Sequence, residues 1–170
     1  IDDQFPDPPL KPPEGEDREL MYRLIKRATS MHLSTVKPYI YYKRIRGNMQ
    51  LTDEDDEKYR SLQTNKELLE FHRKSSADEF TEEEIEVVQA TLDDCFSELN
   101  ELLKQDDFLV NGTFSLADIA WIPLHFTLDV LAGFDFSPYP NVADWTKRLS
   151  ERDSYKTGVL QHWPEQLKRA

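Results

Sequence analysis

The chain of 170 residues is long enough for one domain with a sizeable core. Charged residues make up 32% of it and the formal net charge at pH 7 is −12, which favours an acidic soluble protein over a general nucleic-acid binder. No apolar run approaches the roughly 20 residues of a membrane span. Cys95 is the single cysteine, so no disulfide can form within the chain and a reducing, cytoplasmic setting is expected.

The first 15 residues predict an extended strap. Half of the ten prolines in the chain fall here, at Pro6, Pro8, Pro9, Pro12 and Pro13. Because proline fixes φ, such a segment is stiff and extended. A strap at this point predicts a further domain in front of it, and residues 16–170 are predicted to form a helical domain.

A long first helix is predicted to end near Gly47-Asn48. Pro38 lies inside it and predicts a kink, since proline lacks the backbone donor. The basic segment from Lys37 to Arg46 fits cations near a helix C-terminus. Binding of RNA or phosphate is the less favoured reading, because the acidic run from Asp53 to Glu57 would repel a polyanion.

Two further helices begin with capping residues. Thr52 predicts the start of a polar helix that continues to about Arg73. Thr81-Glu82-Glu83-Glu84 is a capping box. Behind it, apolar residues keep helical spacing to about Lys104, at Ile85, Val88, Leu92, Phe96, Leu99 and Leu103.

The segment after Asn111-Gly112 carries the strongest local signal. Ser115 is placed as an N-cap with Asp118 as its capping-box acid, and Phe114 with Ile119 could close a hydrophobic staple. The helix behind them is apolar on nearly every side, which predicts burial at the centre of the domain. Pro123 inside it predicts a kink.

Two shorter helices complete the pattern. Pro140 suits the first turn of one of them, with Val142, Trp145 and Leu149 facing inward. A last short helix is predicted around 155–163. No segment shows sustained alternation of apolar and polar residues, so the predicted fold is all-α, with about six helices around one buried central helix.

This order of features resembles the C-terminal domain of the cytosolic glutathione S-transferases. The resemblance rests on the long kinked first helix, the capped and stapled helix at Ser115, and the Pro-Asn-Val-x-x-Trp helix at Pro140. It covers nearly the whole chain, from about Asp17 to Trp163. The strap then looks like the link that leaves the family's N-terminal thioredoxin-like domain.

The resemblance implies a role in a two-domain, dimeric transferase. Glutathione is the implied co-substrate and is bound mainly by the thioredoxin-like domain, which also carries the thiol-activating residue, so no catalytic residue is expected in this chain. The helical domain of the family lines the pocket for a small electrophile. No metal, nucleic-acid or membrane partner is implied. Within the family, the long insert between Asn48 and Asp78 is similar to bacterial transferases that dehalogenate aromatics or cleave aryl ethers.

His32, Thr35 and Tyr39 are the candidate substrate-binding residues. They lie about one turn apart around Pro38 and combine polar tips with apolar bodies, as a pocket for a partly aromatic substrate requires. The alternative is a histidine and a tyrosine of the core with satisfied hydrogen bonds.

Other reactive residue types are interpreted as structural. His125 is expected to pack in the core with a hydrogen bond to a backbone carbonyl, His72 to be solvated, and Trp163 to anchor the last helix rather than close the pocket. Cys95 is expected to be a small buried hydrophobe. The histidine spacing contains no metal motif, and Ser115 with Asp118 is a cap rather than a catalytic pair.

A second function stays open, because transferase-like helical domains also serve as docking modules in translation-associated assemblies. The reading frame before Ile1 would distinguish the two. A strand-helix-strand unit ending in a Glu-Ser pair would favour the enzyme.

Overall fold

A computed structural model describes residue 2 and residues 4–47 and 52–163. Helices account for 70% of the structure, the described residues form seven helices, and no β-strand occurs among them. The all-α prediction is therefore confirmed, with one helix more than expected. Asn48 at the predicted end of the first helix, and residues 164–170 of the predicted domain, lie outside the described residues.

Helix α1 (16–45) is continuous past Pro38. It begins as Glu16–Met31 and then alternates between π-helical and α-helical turns: His32–Val36, Lys37–Ile40 and Tyr41–Ile45. In the π turns the amides bond back five residues, as from Lys37 N to His32 O. The predicted disturbance at the proline thus takes the form of two flanking π segments, and the helix is not broken there.

The polar segment after Thr52 forms two helices, and the prediction of one helix to Arg73 is wrong. They are α2, Asp53–Leu62, and α3, Lys66–Ser76. Gln63 has an extended conformation and ends the first. The side chain of Asn65 then accepts hydrogen bonds from the amides of Glu67 and Leu68 at 2.9 and 3.2 Å, which starts the second helix with its own N-cap.

His72 attaches α2 to α3. Helix α2 contributes no buried residue, but Asp56 bonds to His72 Nε2 at 2.7 Å and Tyr59 stacks on the His72 ring with centroids 4.2 Å apart. His72 is buried, so its expected solvation is wrong. The sequence placed it in a polar segment but could not show that a second helix covers it.

Helix α4, Glu82–Leu102, begins at Thr81 with the predicted capping box. Helix α5 (116–132) consists of Leu116–Phe126 followed by the π turns Thr127–Ala132, and ends at Gly133 in the left-handed region, with φ 66°. It packs against α1. Its predicted burial on nearly every side is wrong at Ile119 and Leu131, which are 41% and 39% exposed.

Helix α6, Pro140–Glu151, follows the prediction, whereas α7, Asp153–Gly158, ends earlier than the helix predicted around 155–163. Val142, Trp145 and Leu149 are buried as expected. A 3₁₀ turn, Leu160–His162, ends the described chain just before Trp163.

The Asp118 carboxylate is the polar centre of the fold. It is fully buried and closes the predicted capping box by accepting from Ser115 N at 2.8 Å and Ser115 Oγ at 3.1 Å. It also accepts from Leu109 N at 3.1 Å and Trp145 Nε1 at 2.8 Å. The Phe114 ring contacts Phe108 and the Arg152 guanidinium, and its staple with Ile119 stays a prediction.

We expect Asp118→Ala to lower the free energy of unfolding by about 3 kcal/mol or more, because it leaves several buried donors without an acceptor. Ser115→Ala should cost about 1 kcal/mol, the usual effect of a lost cap. Urea denaturation of the 170-residue chain measures both. The exposed Asp144 on α6 is the control position, and a loss at Asp118 no greater than at Asp144→Ala would contradict the assignment.

The contact between Asp56 on α2 and His72 gives a second expectation. His72→Ala should speed amide hydrogen exchange throughout α2 by about tenfold or more while leaving α4 and α5 protected, since only local opening becomes easier. His162→Ala, at an exposed histidine, should change neither. Unchanged exchange in α2 after His72→Ala would mean that other contacts hold this helix.

Candidate substrate-binding face

The three predicted site residues lie on the π-helical half of α1, with different exposure. His32 and Thr35 belong to the first π segment and Tyr39 to the α turn that follows. His32 is exposed, whereas Thr35 and Tyr39 are each 5% exposed. The structure therefore keeps them on one short stretch of helix, but among the three only His32 is exposed.

Thr35 and Tyr39 are held by specific contacts. Thr35 Oγ1 donates to Met31 O at 2.7 Å. The Tyr39 ring packs edge-on against Phe134 at 5.6 Å, and Lys43 Nζ lies 5.6 Å from its centroid. The Tyr39 hydroxyl makes no hydrogen bond to any described residue, and the side chain is 5% exposed.

The electrostatic surroundings keep both titratable groups neutral near pH 7. Partial burial, and then the positive charge of Lys37, lower the pKa of His32. Burial, and then the negative charge of Asp93, raise the pKa of the Tyr39 phenol. A neutral imidazole and a neutral phenol can each donate and accept one hydrogen bond, which suits an uncharged polar substituent of an aromatic substrate.

A cleft of about 390 Å³ lies elsewhere, between α5, α6 and α7. Its aromatic wall includes Phe126 and Trp163, whose rings are 4.2 Å apart, so Trp163 does anchor the end of the described chain. Its polar lining includes His125, Asp129 and Tyr155. None of the three predicted site residues lines this cleft, and no residue spacing in the sequence points to it.

Aromatic side chains pack against His125. It lies 4.3 Å from Phe136 and 6.3 Å from Trp145, centroid to centroid, and burial lowers its pKa to about 4. The expected hydrogen bond to a backbone carbonyl does not occur within the described part of the chain. Burial also raises the pKa of Asp129, and burial followed by the Asp129 charge raises that of Tyr155.

The remaining reactive side chains are structural. Cys95 is fully buried, burial raises its pKa to about 12, and its Sγ lies 3.3 Å from Met31 Sδ, so it is no nucleophile at neutral pH. Across the described ranges no three metal-ligating side chains come together. None of the described helices is both long and apolar enough to cross a membrane.

The pKa of His125 predicts a pH dependence of stability. Because the folded value lies below the ordinary value of about 6.5, the unfolded chain binds the proton more readily. The stability linked to neutral His125 is present above about pH 6.5 and is lost as the pH falls towards 4. The full loss is on the order of 3 kcal/mol.

Urea denaturation at pH 7 and pH 4.5 measures this effect as the difference between wild type and His125→Phe. The variant should lose much less stability on acidification than the wild type does. His162→Gln, at an exposed position, should behave as wild type. Equal acid sensitivity of wild type and His125→Phe would refute the prediction.

The chain is similar to a known protein family and to a solved structure. Residues 82–148 match the family described as glutathione S-transferase, C-terminal domain. The solved structure of the beta-etherase LigF from Sphingobium sp. strain SYK-6 superposes with a TM-score of 0.75 and 22% identity. The match covers 94% of this chain and 69% of that one, and at this identity it establishes a common fold.

Proposed function

We propose that this chain, a glutathione S-transferase C-terminal-like helical domain, holds the electrophilic substrate of a glutathione-dependent enzyme. The observation that carries the proposal is the family match over residues 82–148, set in a helical fold of the same kind. Glutathione would be bound mainly by a thioredoxin-like domain that precedes Ile1. A homodimer in the cytoplasm belongs to the same proposal, and light scattering of the purified protein tests its oligomeric state.

The proposed reaction requires a different role from each of the two domains. Thiolate is the attacking species in such reactions, so one domain must stabilise it and the other must present the electrophile to it. The described residues offer no low-pKa thiol for the first task, because burial raises the pKa of Cys95 to about 12. The proposed substrates are small hydrophobic or aromatic electrophiles, and the reaction is conjugation, reductive dehalogenation or ether cleavage.

His32, Thr35 and Tyr39 are the proposed substrate contacts. The first two lie in a π-helical segment, and π turns within α-helices are frequent at functional sites. Tyr39 offers a phenol tip without a protein partner in the described residues, and His32 offers an exposed imidazole. Thr35 Oγ1 gives its proton to Met31 O, which leaves its oxygen lone pairs to accept.

The test uses the protein expressed together with the reading frame that precedes Ile1. Tyr39→Phe removes only the hydroxyl and should raise KM for the electrophile about 3- to 10-fold, the value of one hydrogen bond, with KM for glutathione unchanged. Tyr22→Phe, at a half-exposed tyrosine on the same helix, is the matched control. A model β-aryl ether and a chlorinated aromatic are the first substrates.

Two results would show that Tyr39 has a structural role and does not contact the electrophile. One is a rise in KM for glutathione alone, and the other is a fall in thermal stability with both KM values unchanged. Either result would leave the electrophile pocket unassigned, and the cleft lined by His125 and Asp129 would then be the next region to mutate.

The 170-residue chain by itself should not conjugate glutathione to 1-chloro-2,4-dinitrobenzene above the uncatalysed rate, because the thiol-activating domain is separate. Spectrophotometric assay of the purified chain measures this. Conjugation in proportion to protein concentration would show that the catalytic group lies within these residues. A preceding reading frame without a thioredoxin-like domain would favour the alternative of a helical interaction module.

A further inference from the structure

Lys43 and Arg44 are adjacent cations in the last turn of α1, within the π segment Tyr41–Ile45. Both side chains are exposed, and neither forms an ion pair with an acid among the described residues. Residues 48–51, which follow this helix, contain no acidic side chain. The whole sequence has 33 acidic residues against 21 Lys and Arg, so a shortage of acids does not explain why these two cations are unpaired.

The position of these cations at a helix C-terminus accounts for only part of the arrangement. The helix dipole favours positive charge in the last turn. Arg46, at the same end of α1, is in addition bound to Asp78, with its Nε 2.7 Å from Oδ1. Lys43 and Arg44 have no such anchor in the described structure, so their N–H groups are left as donors for a ligand.

The two side chains lie beside one aromatic pair. Tyr39 and Phe134 pack edge to face with their ring centroids 5.6 Å apart. Lys43 Nζ lies 5.6 Å from the Tyr39 centroid. Arg44 lies against Gly133, the residue before Phe134, where an added Cβ would come within 2.7 Å of its Nη2. Because Gly133 has no side chain, the guanidinium can approach the backbone next to this pair.

The acid near this face does not pair with the two cations. Burial, and then the negative charge of Asp93, raise the pKa of Tyr39. Asp93 Oδ1 accepts the Tyr139 hydroxyl at 2.8 Å, and no ion pair joins this carboxylate to Lys43 or Arg44 among the described residues. An anion placed next to Tyr39 would therefore meet two positive charges that are still available.

We infer that Lys43 and Arg44 bind a carboxylate of the electrophile that His32, Thr35 and Tyr39 contact. This inference rests on the proposed function and deepens it, since it names aromatic carboxylic acids as the substrate class of that site. Lysine binds a carboxylate as a compact point charge, whereas arginine can form two parallel hydrogen bonds to it. Lys43 follows Tyr39 by about one helical turn, so one small aromatic acid can reach both side chains.

The test uses the protein that includes the preceding reading frame and two aryl chlorides that differ in charge. The first is 4-chloro-3-nitrobenzoate, and 4-chloro-3-nitrobenzamide is its neutral analogue of similar size. With either one, the sulfur of glutathione bonds to the ring carbon that carries chlorine. Chloride leaves with the electron pair of the broken bond, and the thiol proton passes to solvent. Comparing each variant with wild type on the same substrate removes the difference in intrinsic reactivity between the two compounds.

Lys43→Gln and Arg44→Gln should each raise KM for the benzoate about 2- to 5-fold, the value of an exposed ion pair. KM for the benzamide and for glutathione should not change. Added NaCl should raise KM for the benzoate in wild type and have little effect in the double variant, because salt screens exposed charges. Lys26→Gln, at an exposed lysine on the same helix, is the matched control and should behave as wild type.

Three results would overturn the inference. They are an unchanged KM for the benzoate, an equal rise for benzoate and benzamide, and a rise in KM for glutathione alone, which would assign the cations to the co-substrate.

A protein that conjugates neither compound would contradict the proposed function, and amide chemical shifts of the 170-residue chain titrated with each compound then test the inference separately. Preferential binding of the benzoate near Lys43 would support the carboxylate site. Equal binding of both compounds, or none, would overturn it.

Discussion

The buried carboxylate of Asp118 is the interaction on which the arrangement of the helices depends. A carboxylate in a protein interior needs hydrogen-bond donors around its oxygens. Here the donors come from three parts of the chain: Leu109, Ser115 and Trp145. The first belongs to the connection after α4, the second starts α5 and the third lies on α6. One side chain thereby sets the start of the central helix and the position of α6 beside it.

This constraint also fixes the surroundings of α6. Because Trp145 is fixed to Asp118, α6 has a defined position, and its last residue leads into Arg152. The cleft between α5, α6 and α7 has the same origin, since His125 packs against Trp145. A capping interaction that is local in sequence thus determines geometry several turns away.

The sequence predicts those features whose cause is local. The capping boxes at Thr81 and Ser115 are each contained in four residues, and both form as expected. The bond from Trp145 to Asp118 spans 27 residues, and the cover of α2 over His72 spans 16. Such contacts depend on how the helices pack against one another. The spacing of apolar residues within one helix does not specify that packing. The break before Asn65 is also local in cause, because the Asn65 side chain is the N-cap of α3.

The candidate site shows a similar limit. Spacing of about one turn places His32, Thr35 and Tyr39 on one stripe only if every turn is α-helical, but the π turns around Pro38 are wider. The exposure of these residues therefore differs although their order along the helix was right. Likewise, an apolar composition could not reveal that Ile119 and Leu131 face outward, because composition does not say which neighbours a helix has.

Helix α2 has a consequence for how this fold can vary. It contributes no buried side chain. Asp56 and Tyr59 contact His72 on α3. Selection for a packed core therefore places almost no restriction on its length or composition. Homologous proteins can differ in such a segment without a change in the rest of the fold. It is also where a reporter peptide could be inserted at little cost to the remaining helices.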